Sequence, residues 1–182
     1  ALLARGSGGT KVADPKGFMH EVNSLFSRAR KYKLHSASVA YGILNAGGSF
    51  MLGEEGPYGL NVYNRLKSDR CACPSCFIAD KDILTVPSGA EFAGMKTYTH
   101  SYGMIAQTAM KGNIVDYPKA THIVNLQNRY GLGQQEFDSL FDLLLEARQE
   151  GKITEDQFGK IGRDYDTMRE LVEKIAFRKG IG

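Results

Sequence analysis

Residues 134–150 read QQEFDSLFDLLLEARQE, and this stretch gives the clearest indication of the fold. Its apolar side chains recur three and four residues apart, which is the spacing of one face of an α-helix. Gly151 follows directly and is typical of a helix end. The pattern predicts a helix over 134–150 whose inward residues are Phe137, Leu140, Phe141, Leu144 and Leu145.

The rest of the chain contains more helical patterns than strand patterns. Asp14 and Pro15 predict a helix start, with Asp14 as the N-cap and Pro15 in the first turn. Thr154 and Gln157 have the spacing of a capping box and predict the start of the last helix. Further helical patterns cover residues 38–47, 90–111 and 118–130. The sequence therefore predicts an all-α fold.

Composition and charge exclude several classes of protein. The 182 residues carry 23 basic and 20 acidic side chains, and this net charge of +3 is too small to indicate a nucleic-acid partner. No apolar run approaches the roughly 20 residues that a membrane-spanning helix needs. All three cysteines lie between residues 71 and 76, whereas disulfide frameworks spread their cysteines along the chain. We therefore expect a cytoplasmic protein with a metal at its cysteines.

The cysteine cluster, Cys71-Ala72-Cys73-Pro74-Ser75-Cys76, is the strongest indication of a metal site. The two-residue gap between Cys73 and Cys76 lets both thiolates reach one metal from a single turn. A tetrahedral zinc site needs a second ligand pair, and the isolated His100 and His122 do not supply one. An iron–sulfur cluster tolerates a distant ligand and suits clustered cysteines better. Three thiols without a metal are the remaining alternative.

Several motifs, in their order and spacing, resemble the tungsten-containing aldehyde:ferredoxin oxidoreductase family. Residues 73–80 correspond to the family's CxxCxxxC pattern, and Asn125–Gly133 correspond to its N-x-x-x-x-Y-G-L-D segment. The similar stretches are, in chain order, Ala4–Pro15, Tyr41-Gly42, the Asn61 region, residues 73–80, Asn125–Gly133 and Gly151–Gly182. The resemblance thus spans almost the whole chain.

The resemblance implies a 4Fe–4S cluster at the cysteines. Cys73, Cys76 and Asp80 would bind it, with Asp80 in place of the family's third cysteine. Cys71 would lie outside the ligand set. The fourth ligand would come from a domain beyond these 182 residues.

The resemblance also implies a tungsten bis-molybdopterin cofactor. Asn128, Gly131 and Leu132 would contact its pterin, because they lie in the family's pterin-contacting segment. Asn128 stands where the family usually has an acidic residue, and Gly133 stands where it has the closing aspartate. These two changes predict a weakened or altered pterin contact.

Residues 91–100 read EFAGMKTYTH and lack the E-Y-E-T of typical aldehyde oxidoreductases. This departure, together with Asp80, is similar to the catalytic subunit of tungsten-dependent benzoyl-CoA reductase. In that subfamily a histidine near tungsten donates a proton beside an acidic residue, which makes His100 and Glu91 the catalytic candidates. On a straight helix nine residues at about 100° each place the two on opposite faces, so a shared pocket requires a backbone break near Gly94.

The resemblance implies an interior helical domain, like domain 2 of an aldehyde:ferredoxin oxidoreductase, within a larger multidomain enzyme. Residues 1–182 would form this single domain as a fragment that is inactive alone, with 1–13 a linker from a preceding β domain. Ferredoxin or an electron-transfer subunit would supply electrons, an aromatic acyl-CoA or an aldehyde would be the substrate, and the enzyme would be an oligomer. An aldehyde oxidoreductase and a non-catalytic metal-binding interaction module are the alternatives.

Overall fold

The computed structural model describes residues 11–31, 58–72, 81–100 and 102–180. The chain divides into two compact units, residues 1–40 and residues 41–182. The helix predicted over 38–47 lies outside the described residues. None of the helices within the described ranges is long and apolar enough to cross a membrane.

The first unit contains α1, Pro15–Lys31. Gly17 donates its backbone N–H to Asp14 Oδ1 at 3.0 Å, and the N–H of Phe18 donates to the Asp14 carbonyl at 2.9 Å. Asp14 therefore caps the helix as predicted. Pro15 occupies the first helical position, where its missing N–H removes no intrahelical hydrogen bond.

The second unit contains a small antiparallel sheet that directly follows α2, Leu60–Leu66. Its strands are β1, Lys67–Cys71; β2, Lys81–Thr85; and β3, Lys96–Thr99. The central strand is β2, since the order across the sheet is β1-β2-β3.

This sheet corrects the predicted all-α class, although the mainly helical character of the chain is confirmed. In β3, Thr97 and Thr99 are buried while Lys96 and Tyr98 are exposed. That two-residue period, with threonine and tyrosine as strand-forming residues, favours a strand over the helix predicted for 90–111. A helix begins only at Tyr102.

After the sheet, the described residues form five helices. They are α3, Tyr102–Lys111; α4, Tyr117–Tyr130; α5, Gln134–Gln149; α6, Glu155–Phe158; and α7, Tyr165–Phe177. The bounds of α4 and α5 match the prediction to within one residue. The predicted last helix is instead divided in two, because α6 ends at Gly159 with φ 75° and α7 restarts behind Asp164. Both the capping box of Thr154 and Gln157 and the N-cap of Asp164 are present.

The core of the second unit lies between the sheet and the helices. On α5, Phe137, Phe141 and Leu145 are buried as predicted, but Leu140 is 38% exposed. The largest fully buried apolar side chains come from α2, β2, α4, α5, α3 and α7: Tyr63, Leu84, Tyr117, Ile123, Phe141, Ile105 and Met168. α4 contacts both β3 and α7, so it positions the sheet against the helical core.

Candidate functional site

The cysteine-bearing loop, residues 72–80, connects β1 to β2. Cys71 at the end of β1 and Lys81 at the start of β2 are Cα partners, so the loop leaves and re-enters the sheet at neighbouring positions. The loop contains the predicted ligands, which lie outside the described residues: Cys73, Cys76 and Asp80. Among the residues that the structure does describe, no three His, Cys, Asp or Glu side chains are grouped as a metal site requires. The ligand set stays a prediction. What the structure shows is that the two ends of the loop are held together by the pairing of β1 with β2.

A buried carboxylate, that of Asp82, lies in the sheet next to the pair Cys71–Lys81 that closes the loop. Asp82, the second residue of β2, is fully buried and accepts a hydrogen bond from Tyr63 Oη at 2.5 Å. Its Oδ1 lies 2.8 Å from Lys67 Nζ and 3.4 Å from Arg70 Nε. Proteins tolerate a buried carboxylate when it is paired and hydrogen-bonded in this way. The only sequence signal for this residue is an acidic side chain inside a short apolar strand.

Asn128, a predicted cofactor contact, is bonded to the sheet from the C-terminal end of α4. Its Nδ2 donates to Thr97 Oγ1 at 3.0 Å and to the Tyr98 carbonyl at 2.8 Å. These two bonds use both hydrogens of the amide, which leaves Oδ1 as the atom that can accept from a ligand. Tyr98 pairs with Ile83 of β2, and β2 begins directly after the cysteine-bearing loop. One small sheet therefore joins the end of α4 to that loop.

Gly131 and Leu132 complete the cap of α4. Gly131 has a left-handed conformation, with φ 72° and ψ 28°. Its N–H donates to the Asn128 carbonyl at 3.4 Å, and the Leu132 N–H donates to the Gln127 carbonyl at 2.9 Å. Together these bonds form a Schellman motif, in which the helix end satisfies its own carbonyls. The amides of Gly131 and Leu132 are thus already engaged, and a ligand contact by these residues stays a prediction.

Gln127 is a buried amide that sequence reasoning missed. Neither its Nε2 nor its Oε1 has a hydrogen-bond partner within the described residues. On α4 it shares a face with Ala120, Ile123 and Val124, which are all buried. An unpaired buried amide lowers stability, since its desolvation is not compensated.

Glu91 and His100 lie at opposite ends of β3 rather than on one helix. Glu91 belongs to the turn between β2 and β3, and its Oε2 lies 3.5 Å from Lys119 Nζ. His100 directly follows β3 and is exposed. The five steps from Met95 to His100 span about 16 Å at about 3.3 Å per residue. Gly94 lies in the turn with φ 79°, but these residues form no helix and the described structure does not bring the two side chains together.

A cluster that sequence reasoning missed surrounds His122 on α4. The Phe92 ring stacks on the imidazole with a centroid distance of 4.2 Å, and His122 Nδ1 lies 2.7 Å from Tyr165 Oη. Burial and the nearby Arg169 guanidinium lower the pKa of His122 below its usual 6.5. Phe92 has a φ of 65°, which is unusual for a bulky residue. The partners come from three separate parts of the chain, so local sequence gave no signal for this cluster.

A second missed group is the carboxyl of Asp138 on α5. It is fully buried and accepts from Thr108 Oγ1 of α3 at 3.1 Å. Burial raises its pKa to about 7, although the Thr108 hydrogen bond and the charge of Lys111 oppose the shift. The sequence could have indicated that Asp138 is buried, because its spacing places it on the same face of α5 as Phe141 and Leu145.

The comparisons with known proteins give one match. The sequence model of the family described as aldehyde ferredoxin oxidoreductase, domains 2 and 3, matches residues 50–182. No curated protein and no solved structure matches the chain. The matched range includes the sheet, the cysteine-bearing loop and all the helices from α2 to α7.

Proposed function

The chain belongs to the aldehyde ferredoxin oxidoreductase family, and from this membership we propose that it holds a 4Fe–4S cluster beside a tungsten bis-molybdopterin cofactor. The reaction would be the reduction of an aromatic acyl-CoA by low-potential electrons, as in benzoyl-CoA reductase. Electrons would come from ferredoxin or an electron-transfer subunit. We expect the enzyme to be a cytoplasmic oligomer.

The observation that carries this proposal is the link between the two predicted cofactor regions. Asn128 bonds to β3 through two hydrogen bonds, and β3 pairs with β2. The cysteine-bearing loop enters β2 at Lys81. An enzyme that passes electrons from a cluster to a pterin must hold both on a common support, and this sheet is suited to that task.

The residues at the loop suit an iron–sulfur cluster. Two cysteines and one aspartate lie within eight residues of a loop whose ends are paired, which limits how far the ligands can separate. At the base of the loop, Lys67 and Arg70 both pair with the buried carboxylate of Asp82. When bound, a cluster supplies one-electron transfer at low potential. The part of this chain is to hold the loop ends.

The end of α4 offers a polar ligand one hydrogen-bond acceptor from the residues predicted to bind it. Asn128 Oδ1 is the remaining acceptor of that side chain, whereas the N–H groups of Gly131 and Leu132 are used inside the helix cap. An acceptor at this position would bind a donor group of the pterin edge. We therefore assign the pterin contact chiefly to Asn128.

We assign proton donation to the substrate to His100, which follows β3 and is exposed. A histidine side chain can donate a proton near neutral pH. In the intact enzyme, His100→Ala should lower turnover on the order of a hundredfold while tungsten and iron contents stay unchanged. The matched control is His20→Ala, an exposed histidine of α1, which should leave turnover unchanged. Near-normal turnover of His100→Ala with full metal content would contradict the assignment.

The oxidation of aldehydes to acids is the second candidate, because the matched family is described by that type of enzyme. The intact enzyme, purified anaerobically, should contain iron, acid-labile sulfide and tungsten, and should reduce benzoyl-CoA when given a low-potential electron donor. Turnover of aldehydes but not of benzoyl-CoA would favour the second candidate. Stoichiometric zinc without iron would instead identify a metal-binding interaction module and refute both enzymatic proposals.

A further inference from the structure

We propose that the turn between β2 and β3, residues 86–95, is a pH-sensitive switch. The turn docks on α4 while the imidazole of His122 is neutral, and it detaches when that imidazole takes up a proton. The groups that form the switch come from the turn, from α4 and from α7, and all of them lie within the described residues. The switch needs no cofactor, so its test is independent of the proposed enzymatic reaction.

The docked turn is held through Phe92. Its ring stacks on the His122 imidazole, with the centroids 4.2 Å apart and an interplanar angle of 13°, and it lies 6.3 Å from the ring of Tyr165 on α7. A salt bridge of 3.5 Å between Glu91 and Lys119 adds to this contact. Both charged side chains are exposed to water, which weakens their attraction. The aromatic stack on His122 is therefore the stronger of the two contacts.

The backbone of the turn allows it to detach without opening the sheet. At its base, the Val86 N–H donates to the Met95 carbonyl and the Gly94 N–H donates to the Val86 carbonyl, both at 2.9 Å. Further from the sheet, the Ala93 N–H makes a longer bond of 3.2 Å within the turn. Phe92 has a φ of 65°, which a bulky residue rarely adopts, so contacts of its side chain have to maintain it. The two short bonds hold the base while the stack on α4 holds the rest of the turn.

Docking disfavours the charged form of the imidazole. One face of the His122 ring is covered by Phe92, and its Nδ1 lies 2.7 Å from Tyr165 Oη. The titratable and charged groups around His122 and Tyr165 are Glu91 from the turn, Lys119 and Arg129 from α4, and Tyr165, Asp166, Arg169, Glu170 and Glu173 from α7. Burial and the Arg169 guanidinium lower the pKa of His122 below 6.5, although Glu173 and Glu91 oppose the shift.

This shift makes docking weaker at low pH. In the detached turn the imidazole is exposed to water, and its pKa lies closer to 6.5 than in the docked turn. The detached state therefore binds more protons, so docking is strongest above about pH 6.5 and weakens as the pH falls below that value. The turn leads directly into β3, whose Tyr98 carbonyl accepts from Asn128 Nδ2. The switch thus acts next to the strand that supports Asn128.

Titration of the His122 ring, followed by nuclear magnetic resonance, tests the coupling between protonation and docking, since that coupling is reciprocal. In the intact protein we expect the wild-type imidazole to titrate below pH 6.5 and Phe92→Leu to move the midpoint up toward that value. The matched control is Phe177→Leu, which removes the contact of another α7 aromatic with Tyr130 and should leave the midpoint of His122 unchanged. A wild-type midpoint at or above 6.5, or a midpoint that stays constant or falls in Phe92→Leu, would overturn the proposal.

Nuclear Overhauser effects between the rings of Phe92 and Tyr165 measure docking itself, and they do not require the imidazole. In the wild type these effects should weaken when the pH is lowered from about 8 to about 5, across the titration range of histidine. In His122→Gln, whose side chain takes up no proton in this range, they should no longer depend on pH. The effects between Tyr130 and Phe177 are the internal control and should stay constant. Undiminished Phe92–Tyr165 effects in the wild type at low pH, or an equal loss in both proteins, would refute the switch.

Discussion

At the scale of single residues, the buried carboxyl of Asp138 couples stability to pH. Its pKa is about 7 in the folded chain, whereas an aspartate in an unfolded chain has a pKa near 3.9. Between about pH 4 and pH 7 the folded state therefore binds more protons than the unfolded state, so stability falls as pH rises through this window. The full penalty, about 4 kcal/mol for about three pKa units, is present above pH 7.

We predict that Asp138→Asn removes this loss of stability and raises the free energy of unfolding at pH 8 by about 2 kcal/mol. The gain is smaller than the full penalty because the amide only partly replaces the carboxyl as a partner of Thr108. Urea unfolding of both proteins between pH 4 and pH 8 measures the difference. His122 contributes the opposite slope, since its pKa is lowered, but it is common to both proteins and cancels.

Asp142→Asn is the matched control for Asp138→Asn. Asp142 also lies on α5 and pairs with Lys111 Nζ at 2.5 Å, but its side chain is 43% exposed. Loss of such a surface pair should change stability by less than about 1 kcal/mol. If Asp138→Asn follows the wild-type pH profile, the carboxyl is ionised in the folded chain and the prediction is wrong.

At the scale of elements, aromatic contacts of Phe92 hold the turn between β2 and β3 against the helices. Phe92 stacks on His122 of α4 at an interplanar angle of 13°, and His122 is in turn bonded to Tyr165 of α7. The φ of 65° at Phe92 costs about 1–2 kcal/mol for an L-residue, and the stacking offsets part of this cost. The turn therefore keeps its conformation through contacts made far along the chain.

A double-mutant cycle on Phe92→Leu and His122→Ala tests this contact. We predict that His122→Ala lowers the free energy of unfolding by about 1–2 kcal/mol, because it removes the stacking and the Tyr165 hydrogen bond. The coupling energy between the two changes should be about 1 kcal/mol, measured by chemical denaturation. His100→Ala, which truncates an exposed histidine, should change stability by less than about 0.5 kcal/mol. Additive effects of Phe92→Leu and His122→Ala would show that the stacking contributes nothing.

The elements that the sequence predicted well are those defined by nearby residues. The bounds of α4 and α5 follow from an apolar period and from Gly131 and Gly151 at their ends. The strands were missed because each has only four or five residues, too few for a clear period, and because their pairing is non-local. Asp82, for example, pairs with Thr99, and nothing in the intervening sequence indicates this.

In the candidate site, too, features that depend on nearby residues could be predicted and non-local contacts could not. The left-handed conformation of Gly131 could be predicted from its place after a helical pattern. The bonds of Asn128 to β3 could not, since Thr97 lies 31 residues earlier in a strand that the sequence did not reveal. The contacts of His122 with Phe92 and Tyr165 also join distant segments. Motifs thus predict the regions of the candidate site, whereas packing decides which atoms of Asn128 remain for a ligand.

At the scale of the whole molecule, the proposed cofactor content depends on which residues of the cysteine-bearing loop would bind iron. The family pattern requires gaps of two and three residues, and only Cys73, Cys76 and Asp80 reproduce them. Cys71 lies at the end of β1 as the Cα partner of Lys81, at the base of the loop rather than within it. Its exclusion from the ligand set stays a prediction.

We predict that Cys71→Ser retains the wild-type iron content of the intact protein, whereas Cys73→Ser and Cys76→Ser lose it. A carboxylate is a harder and weaker ligand for iron in a cluster than a thiolate, so Asp80→Cys should slow the loss of iron in air. Iron and sulfide analysis together with the decay of the visible absorption measure these effects. Loss of the cluster in Cys71→Ser, with full retention in Asp80→Ala, would assign the third ligand to Cys71 and place the cluster closer to the sheet.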